Sequence, residues 1–186
     1  MNTLTQTISR EQIKDYLEAV VAAMEVPPAR ANWKYQRYEE LVLDCGFIME
    51  SQPLPETLEF GAPQFSYWNC QQLALADNSL TYVEGYALDA DVGFPISHAW
   101  LLTPDGYAID PTWDYPGCYF GVPLSTTWVE SVLATRNRMD NLSIFDGNYI
   151  EKFSLLKEGL PVDAFANLLR GSKQNAAGYL SLAPFL

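Results

Sequence analysis

The sequence contains one histidine and three cysteines, so few side chains could hold a metal ion or act as a base near neutral pH. The cysteines, Cys45, Cys70 and Cys118, lie far apart and show no metal-ligand spacing, which argues against a zinc site. Their odd number leaves one thiol unpaired in any disulfide scheme. The sequence therefore predicts free thiols in a reducing cytoplasm and no bound metal or other cofactor.

Basic residues are also scarce: 11 Lys and Arg stand against 23 Asp and Glu, which gives a formal net charge of −12. A chain of this charge repels phosphate backbones, so we predict no direct binding to nucleic acid. The sequence lacks the roughly 20 consecutive apolar residues of a membrane-spanning helix. Its N-terminus has no basic stretch followed by an apolar run, so no signal peptide is predicted. We expect a cytoplasmic protein without a membrane partner.

Apolar residues are abundant, at 48% of 186 residues, and aromatic residues make up 13%. This composition is sufficient for one sizeable hydrophobic core. The sequence shows no internal repeat, low-complexity tract or linker that would mark a domain boundary. We therefore predict a single domain (1–186), in which a helical N-terminal part (1–63) and a helical C-terminal part (125–186) flank a central part (64–124).

The N-terminal part contains signals for two helices. Ser9 followed by Gln12 resembles a capping box, which predicts that an amphipathic helix begins there. Pro27 ends this helix. A second helix is predicted from about Asn32 to Asp44, with Gly46 as its C-terminal cap.

The rest of the chain alternates strand and helix signals. The pattern predicts a short helix over Cys70–Ala76, strands over Leu80–Leu88, Ile96–Leu102 and Tyr107–Asp110, and helices over Ser125–Arg138 and Val162–Leu169. Gly85 inside the first strand suggests a bulge. The stretch from Trp113 to Ser125 is rich in Tyr, Pro and Gly and is interpreted as a loop. The apolar tail that ends in Phe185-Leu186 is expected to dock on the body.

The turn Thr103-Pro104-Asp105-Gly106 predicts a β-hairpin whose loop length decides the geometry of the site. A three-residue loop pairs Thr103 with Tyr107 and Trp100 with Asp110. His98 and Asp110 then become diagonal neighbours on one face of the sheet. A two-residue loop would put Asp110 on the opposite face.

Cys70, His98 and Asp110 follow one another in the order nucleophile, base and orienting residue. A cysteine that opens a helix has its pKa lowered by the helix dipole, and a neighbouring imidazolium lowers it further. The backbone N–H of such a cysteine is also placed to stabilise an oxyanion. Histidine is the one residue type whose ordinary pKa lies near neutrality. These three residues are therefore the predicted catalytic group.

The same residues carry a resemblance. A helix-opening Cys70, His98 within His-Ala-Trp and Asp110 within Asp-Pro-Thr-Trp resemble the papain-like and transglutaminase-like cysteine superfamily. The resemblance covers 64–113 and implies an α+β fold, in which a catalytic helix packs on a small antiparallel sheet with flanking helices. It also implies that Gln64, six residues before the cysteine, acts as an oxyanion donor. Asn69 and Tyr67 are alternative donors.

The resemblance implies a cysteine-dependent acyl-transfer enzyme that acts on an amide bond of a protein, a peptide or a small molecule. Water in the second step would make it a peptidase, deamidase or amidase, and an amine would make it a transglutaminase-like transferase. Trp100, Trp113 and Tyr67 are predicted to contact the substrate. An acidic binding or inhibitor protein on the same fold, without catalysis, is the alternative from another class.

Single residues also have simpler interpretations. A lone cysteine such as Cys70 is more often a core thiol. Asp110, followed by proline, fits a turn. Glu84 is interpreted as a strand charge that is solvated or paired, with a role in substrate binding as the alternative. The catalytic interpretation therefore depends on the three residues meeting in space.

Overall fold

The computed structural model describes residues 3–88, 93–114, 117–137 and 142–167, with side chains from Gln12 onward. It has an α+β architecture, in which an antiparallel sheet carries several helices. The helices are α1 (Thr3–Ala23), α2 (Tyr38–Cys45), α3 (Ser66–Ala76), α4 (Thr126–Thr135) and α5 (Ser154–Glu158). The strands are β1 (Phe47–Met49), β2 (Thr81–Leu88), β3 (Pro95–Leu102), β4 (Ala108–Ile109) and β5 (Cys118–Leu124). Short 3₁₀ helices cover Pro28–Arg30, Asp146–Tyr149 and Val162–Ala164.

The five strands form one sheet in the order β1-β5-β2-β3-β4, with antiparallel neighbours throughout. Side chains alternate between its two faces. One face, which we call the helical face, includes Tyr82, Ala99 and Val122 and shares a hydrophobic core with residues of α1, α2, α3 and α4. The opposite face includes Val83 and Trp100 and carries a smaller apolar cluster.

The predicted three-residue hairpin loop is confirmed. Leu101 pairs with Ile109 and Leu102 with Ala108, and the N–H of Thr103 donates to the carbonyl of Tyr107 at 2.9 Å. Gly106 adopts the left-handed region, with φ of 86°, as the last position of such a loop requires. The same register places Trp100 opposite Asp110. His98 and Asp110 therefore lie on one side of the hairpin.

The two N-terminal helices differ from their predicted bounds. α1 begins at Thr3, so Ser9 lies inside the helix and the predicted capping box is wrong. α2 begins at Tyr38 and not at Asn32. The backbone N–H of Lys34 donates to the carbonyl of Lys157 at 3.2 Å, and that of Tyr35 to the carbonyl of Leu156 at 2.9 Å. Both acceptors lie in α5. A tertiary contact thus holds this part of the chain outside a helix. Gly46 is the C-terminal cap of α2, as predicted: its N–H donates to the carbonyl of Val42 at 2.8 Å, and its backbone is extended, with φ of −95°.

Strand β5 is the main element that the sequence analysis missed, since 114–124 was interpreted as a loop. Gly121 is required there because a Cβ would lie 2.5 Å from the ring of Trp100. Pro123 is tolerated because β1 pairs only as far as Gly121, so no residue of β1 needs the N–H that proline lacks, while the carbonyl of Pro123 accepts the N–H of Ala166 at 3.2 Å. The register is continuous through Gly85, so the suggested bulge is wrong.

The C-terminal prediction is tested only in part. A 3₁₀ helix covers Val162–Ala164, where a longer helix to Leu169 was predicted. Leu169 and the tail that ends in Phe185-Leu186 lie outside the described residues. Among the described residues, no helix combines the length and the apolar character that crossing a bilayer requires.

Glu84 is a buried carboxylate on the helical face, 2% exposed. Its oxygens accept hydrogen bonds from the Tyr82 hydroxyl at 2.7 Å and from the backbone N–H groups of Ile144 and Phe145 at 2.8 and 2.9 Å. The hydroxyl of Ser143 donates to it as well. Glu84 therefore ties the segment after α4 to the centre of the sheet. It is buried and hydrogen-bonded, so the expectation of a solvated charge is wrong, and a role in substrate binding stays a hypothesis.

This carboxyl makes the stability of the protein depend on pH. Burial raises the pKa of Glu84 from its usual 4.5 to about 7, so the folded protein holds a proton that the unfolded chain has already lost. Its contribution to the free energy of unfolding is full below pH 4.5. We expect this contribution to fall by about 3 kcal/mol as the pH rises through neutrality.

Urea unfolding of the wild type and of Glu84→Gln at a series of pH values measures this effect, because the glutamine stays neutral throughout. From acid to neutral pH, the wild type should lose about 3 kcal/mol of unfolding free energy relative to Glu84→Gln. Parallel pH profiles for the two proteins would contradict the assignment.

Candidate active site

His98 and Asp110 form a buried hydrogen-bonded pair. Nε2 of His98 lies 2.7 Å from Oδ2 of Asp110, and the two residues are 3% and 5% exposed. His98 lies on β3, and Asp110 follows β4 directly. The register of the hairpin brings them together as diagonal neighbours, as the sequence predicts.

Three further donors hold the carboxylate of Asp110. Its Oδ1 accepts the backbone N–H groups of Thr112 at 2.8 Å and Trp113 at 3.2 Å. Its Oδ2 accepts the hydroxyl of Tyr119 at 2.9 Å, in addition to His98. Since an ionised carboxylate only accepts hydrogen bonds, Nε2 of His98 carries the shared proton. This tautomer leaves a lone pair on Nδ1, which a general base needs.

Trp113 covers the imidazole. Its ring stacks on that of His98, with centroids 4.0 Å apart and an interplanar angle of 18°. Trp113 is itself half-buried. An aromatic ring in this position limits access of water to the His98–Asp110 hydrogen bond and strengthens it. Trp113, predicted to contact a substrate, therefore contacts the base directly.

Trp100 does not occupy the predicted position in a cleft. It is fully buried at 0% exposure, its Nε1–H donates to the sulfur of Met49 at 3.2 Å, and its ring lies 5.0 Å from that of Tyr119. Trp100 extends from the sheet on the face that also carries His98. Trp100 belongs to the buried apolar cluster of that face. The prediction that it contacts a substrate is corrected accordingly.

Cys70 does not open its helix. α3 begins at Ser66, four residues before Cys70, and the first helical hydrogen bond runs from the N–H of Asn69 to the carbonyl of Phe65 at 2.8 Å. The helical pattern then pairs the N–H of Cys70 with the carbonyl of Ser66. This N–H is therefore not available as the predicted oxyanion donor, and the dipole acts on Cys70 from one turn away.

The thiol of Cys70 is neutral in this conformation. Cys70 is 0% exposed, and burial raises its pKa well above the ordinary value, with the charge of Asp110 adding to the rise. The lowered pKa that the sequence analysis expects is thus not found. The physical reason is that a charge is costly to bury in an apolar core, and Cys70 belongs to the core of the helical face.

The helix of Cys70 is tied to the turn that holds Asp110. Nδ2 of Asn69, one residue before Cys70, donates to Oγ1 of Thr112 at 3.0 Å and to the carbonyl of Ala62 at 2.9 Å. Both amide hydrogens of Asn69 are used in these bonds, so Asn69 is not the alternative oxyanion donor. The structure thus brings His98 and Asp110 into contact, and Cys70 lies close enough to Asp110 for the charge of that residue to act on its thiol.

The other two predicted site residues precede Cys70. Tyr67 is half-buried on α3, and its hydroxyl hydrogen-bonds the side chains of Ser97 and Ser143. Gln64 is exposed in the loop before α3 and adopts the left-handed region, with φ of 66°. The oxyanion role of Gln64 stays a prediction.

Tyr119 and Thr112 support the site and were not found by sequence reasoning. Thr112 stands within Asp-Pro-Thr-Trp, so its proximity to Asp110 could have been read from the motif. Tyr119 reaches Asp110 from β5, and no local sequence signal connects the two. Among the described residues, no group of three His, Cys, Asp or Glu side chains is placed to hold a metal ion.

Comparisons of the chain with protein-family models, with curated proteins and with solved structures find no match. The argument for a function therefore depends on the chemistry of these side chains and on how they are placed.

Proposed function

We propose that this chain is a cysteine-dependent acyl-transfer enzyme that acts on an amide bond, with Cys70 as nucleophile, His98 as general base and Asp110 as the orienting residue. The buried His98–Asp110 hydrogen bond of 2.7 Å carries the proposal. An ordinary structural histidine does not need a partner carboxylate that is itself held by three other donors. The order of the three residues resembles the papain-like/transglutaminase-like superfamily, and we propose that α3 with β2, β3 and β4 forms the corresponding core.

The first half-reaction would form a thioester. The thiol proton of Cys70 moves to Nδ1 of His98 while Sγ bonds to the carbonyl carbon of the amide. Because burial keeps the resting thiol neutral, proton removal and attack would occur together. The tetrahedral intermediate then breaks its C–N bond, and the amine leaves with the proton from His98.

The second half-reaction would release the acyl group. Water attacks the thioester while His98 takes one of its protons, and the C–S bond breaks as this proton returns to the sulfur of Cys70. The product is a carboxylic acid, so the overall reaction is hydrolysis of the amide. An amine in place of water would yield a new amide, the transglutaminase-like alternative.

A substrate reaches Cys70 only if part of its cover moves, because the residue is fully buried. The exposed segment 60–65 before α3 is our candidate for this movement. The hydrogen bonds that hold it include one from the N–H of Gly61 to the carbonyl of Pro111 at 2.8 Å and one from Nδ2 of Asn69 to the carbonyl of Ala62 at 2.9 Å. A segment with few buried contacts opens at low free-energy cost.

The non-catalytic alternative is favoured by one observation, the burial and raised pKa of Cys70, since an inert core thiol has the same properties. With a net charge of −12, such a protein would suit a basic partner. In that case Cys70→Ala would retain the full binding function.

The proposal is tested by alkylation of the folded protein with iodoacetamide across a range of pH, with each cysteine followed by peptide mass spectrometry. We expect His98→Ala to slow the alkylation of Cys70 by at least about 10²-fold near neutral pH and to leave the rate at Cys45 unchanged, because His98 removes the proton of the neutral Cys70 thiol as its sulfur attacks. Cys45 is a matched control because it is also buried and burial raises its pKa too. Cys118, which is half-buried, serves as the more accessible reference.

A rate of Cys70 alkylation that His98→Ala leaves unchanged would refute the catalytic proposal. The binding-protein alternative would then be the better explanation.

A further inference from the structure

Among the residues that the structure describes, Tyr119 is the one donor to the Asp110 carboxylate that comes from outside the hairpin and its following turn. It lies on β5, opposite Ala87 of β2 and Met49 of β1. Its hydroxyl is 2.9 Å from Oδ2 of Asp110, the same oxygen that accepts Nε2 of His98. Tyr119 and His98 thus share one acceptor atom.

The hydroxyl of Tyr119 donates to Asp110, while its oxygen accepts the backbone N–H of Gly117. Burial and then the charge of Asp110 raise the pKa of Tyr119 far above its ordinary value of 10.0, so the proton stays on the phenol. A protonated phenol beside a carboxylate donates its hydrogen bond to it. Tyr119 therefore draws negative charge away from the oxygen that faces the imidazole.

The surroundings hold Tyr119 in this position. Its ring packs against Trp100 at 5.0 Å between centroids, and the residue is 1% exposed. Gly117 leaves room for the hydroxyl end, since a Cβ there would lie 3.2 Å from both Cζ and the oxygen. The phenol has one orientation available, and that orientation points at Asp110.

We propose that Tyr119 is a positioning residue that moderates how strongly Asp110 holds the proton of His98. This inference rests on the proposed function for its relevance to catalysis, but the hydrogen-bond relay itself can be tested without a substrate. The hydroxyl competes with His98 for Oδ2, so it weakens the hold of Asp110 on the imidazole proton. A base must be deprotonated before it can accept the thiol proton.

Tyr119→Phe should strengthen the hold of Asp110 on the His98 proton without changing the packing. Without the hydroxyl, Oδ2 of Asp110 bears more negative charge and stabilises the protonated imidazole more strongly. We expect the titration midpoint of the His98 ring protons to rise by about half a pH unit to one pH unit. The acid limb of the Cys70 alkylation profile should move in the same direction by a similar amount.

The experiment is an NMR titration of the wild type, Tyr119→Phe and Tyr82→Phe. His98 is the only histidine in the chain, so its ring signals need no assignment. Tyr82 is the matched control: it is also fully buried and donates its hydroxyl to a buried carboxylate, Glu84, at 2.7 Å. Its removal costs a similar hydrogen bond on the other face of the sheet and should leave the His98 midpoint in place.

A rise in Tyr119→Phe alone supports the proposal. No change in that variant, or an equal change in Tyr82→Phe, would overturn it. Should Tyr119→Phe fail to fold, Gly117→Ala displaces the hydroxyl without removing it and should raise the midpoint by a smaller amount, and no rise there would also overturn the proposal. Failure of the proposed function is a separate result, seen as Cys70 alkylation that does not depend on His98.

Discussion

Replacing Asp110 with asparagine is expected to slow the His98-dependent modification of Cys70 by about 10²- to 10⁴-fold. The effect is large because the surroundings determine how an amide would sit at this position. The backbone N–H groups of Thr112 and Trp113 both donate to Oδ1 of Asp110. The amide of an asparagine would place its oxygen there, since its NH₂ group cannot accept these bonds.

The NH₂ group would then face His98 in place of Oδ2. It would donate to Nε2 of His98 and push the ring proton to Nδ1, the nitrogen that must accept the thiol proton. The variant therefore keeps the shape of the site but holds the wrong tautomer. Ring ¹⁵N chemical shifts report the tautomer directly, and the alkylation rate of Cys70 reports its consequence.

Asp105→Asn is the matched control, because Asp105 is an exposed aspartate in the loop of the same hairpin. It should leave both the tautomer and the rate unchanged. If Asp110→Asn retains the wild-type rate, Asp110 has a structural role only, as its position in a turn would also allow.

Replacing Glu151 with alanine is expected to lower the free energy of unfolding by about 3 kcal/mol, the largest single loss of stability we expect from a polar residue. Its partner Arg136 is 2% exposed. Nε and Nη2 of Arg136 donate to the two oxygens of Glu151 at 2.9 and 2.7 Å. Removal of Glu151 would leave a buried guanidinium without its counter-charge.

The position of Arg136 explains why the loss would extend beyond one ion pair. Its Nη1 and Nη2 also donate to the carbonyls of Ser143 and Ile144, both at 2.9 Å. These residues belong to the segment that Glu84 holds from the other side. A loss of the pair therefore loosens the connection between α4 and the sheet.

Glu18→Ala provides the control for this prediction. Glu18 pairs with Lys14 at 3.7 Å on the exposed side of α1, with both side chains more than half exposed. An exposed pair of this kind contributes less than about 0.5 kcal/mol. Chemical denaturation should therefore show a clearly larger loss of unfolding free energy in Glu151→Ala than in Glu18→Ala. Equal losses in the two variants would contradict the role assigned to Arg136 and Glu151.

The features that were predicted correctly have causes within a few residues of sequence. The hairpin between β3 and β4 follows from Pro104-Asp105-Gly106, and its register decides that His98 and Asp110 meet. Strand β2 follows from a run of Tyr, Val and Thr, and its observed bounds, Thr81–Leu88, differ by one residue from those predicted. In these cases backbone preference and side-chain alternation act locally and agree with the final packing.

The features that were missed depend on contacts between distant parts of the chain. β5 contains Gly121 and Pro123, which locally disfavour a strand. They are accommodated because Trp100 needs the space above Gly121 and because β1 stops short of Pro123. The late start of α2 also depends on a distant contact, since backbone hydrogen bonds to α5 hold the residues that precede it.

The amino-acid sequence by itself determined the α+β class, the hairpin and the pairing of the one histidine with Asp110, because each depends on short-range geometry. Only the tertiary structure decided the state of Cys70 and the support of Asp110. A pKa depends on burial and on charges from every neighbouring element, and these placed Cys70 in a neutral, covered position. Tyr119 reached Asp110 because β5 folds back against β2, a contact that local pattern does not encode.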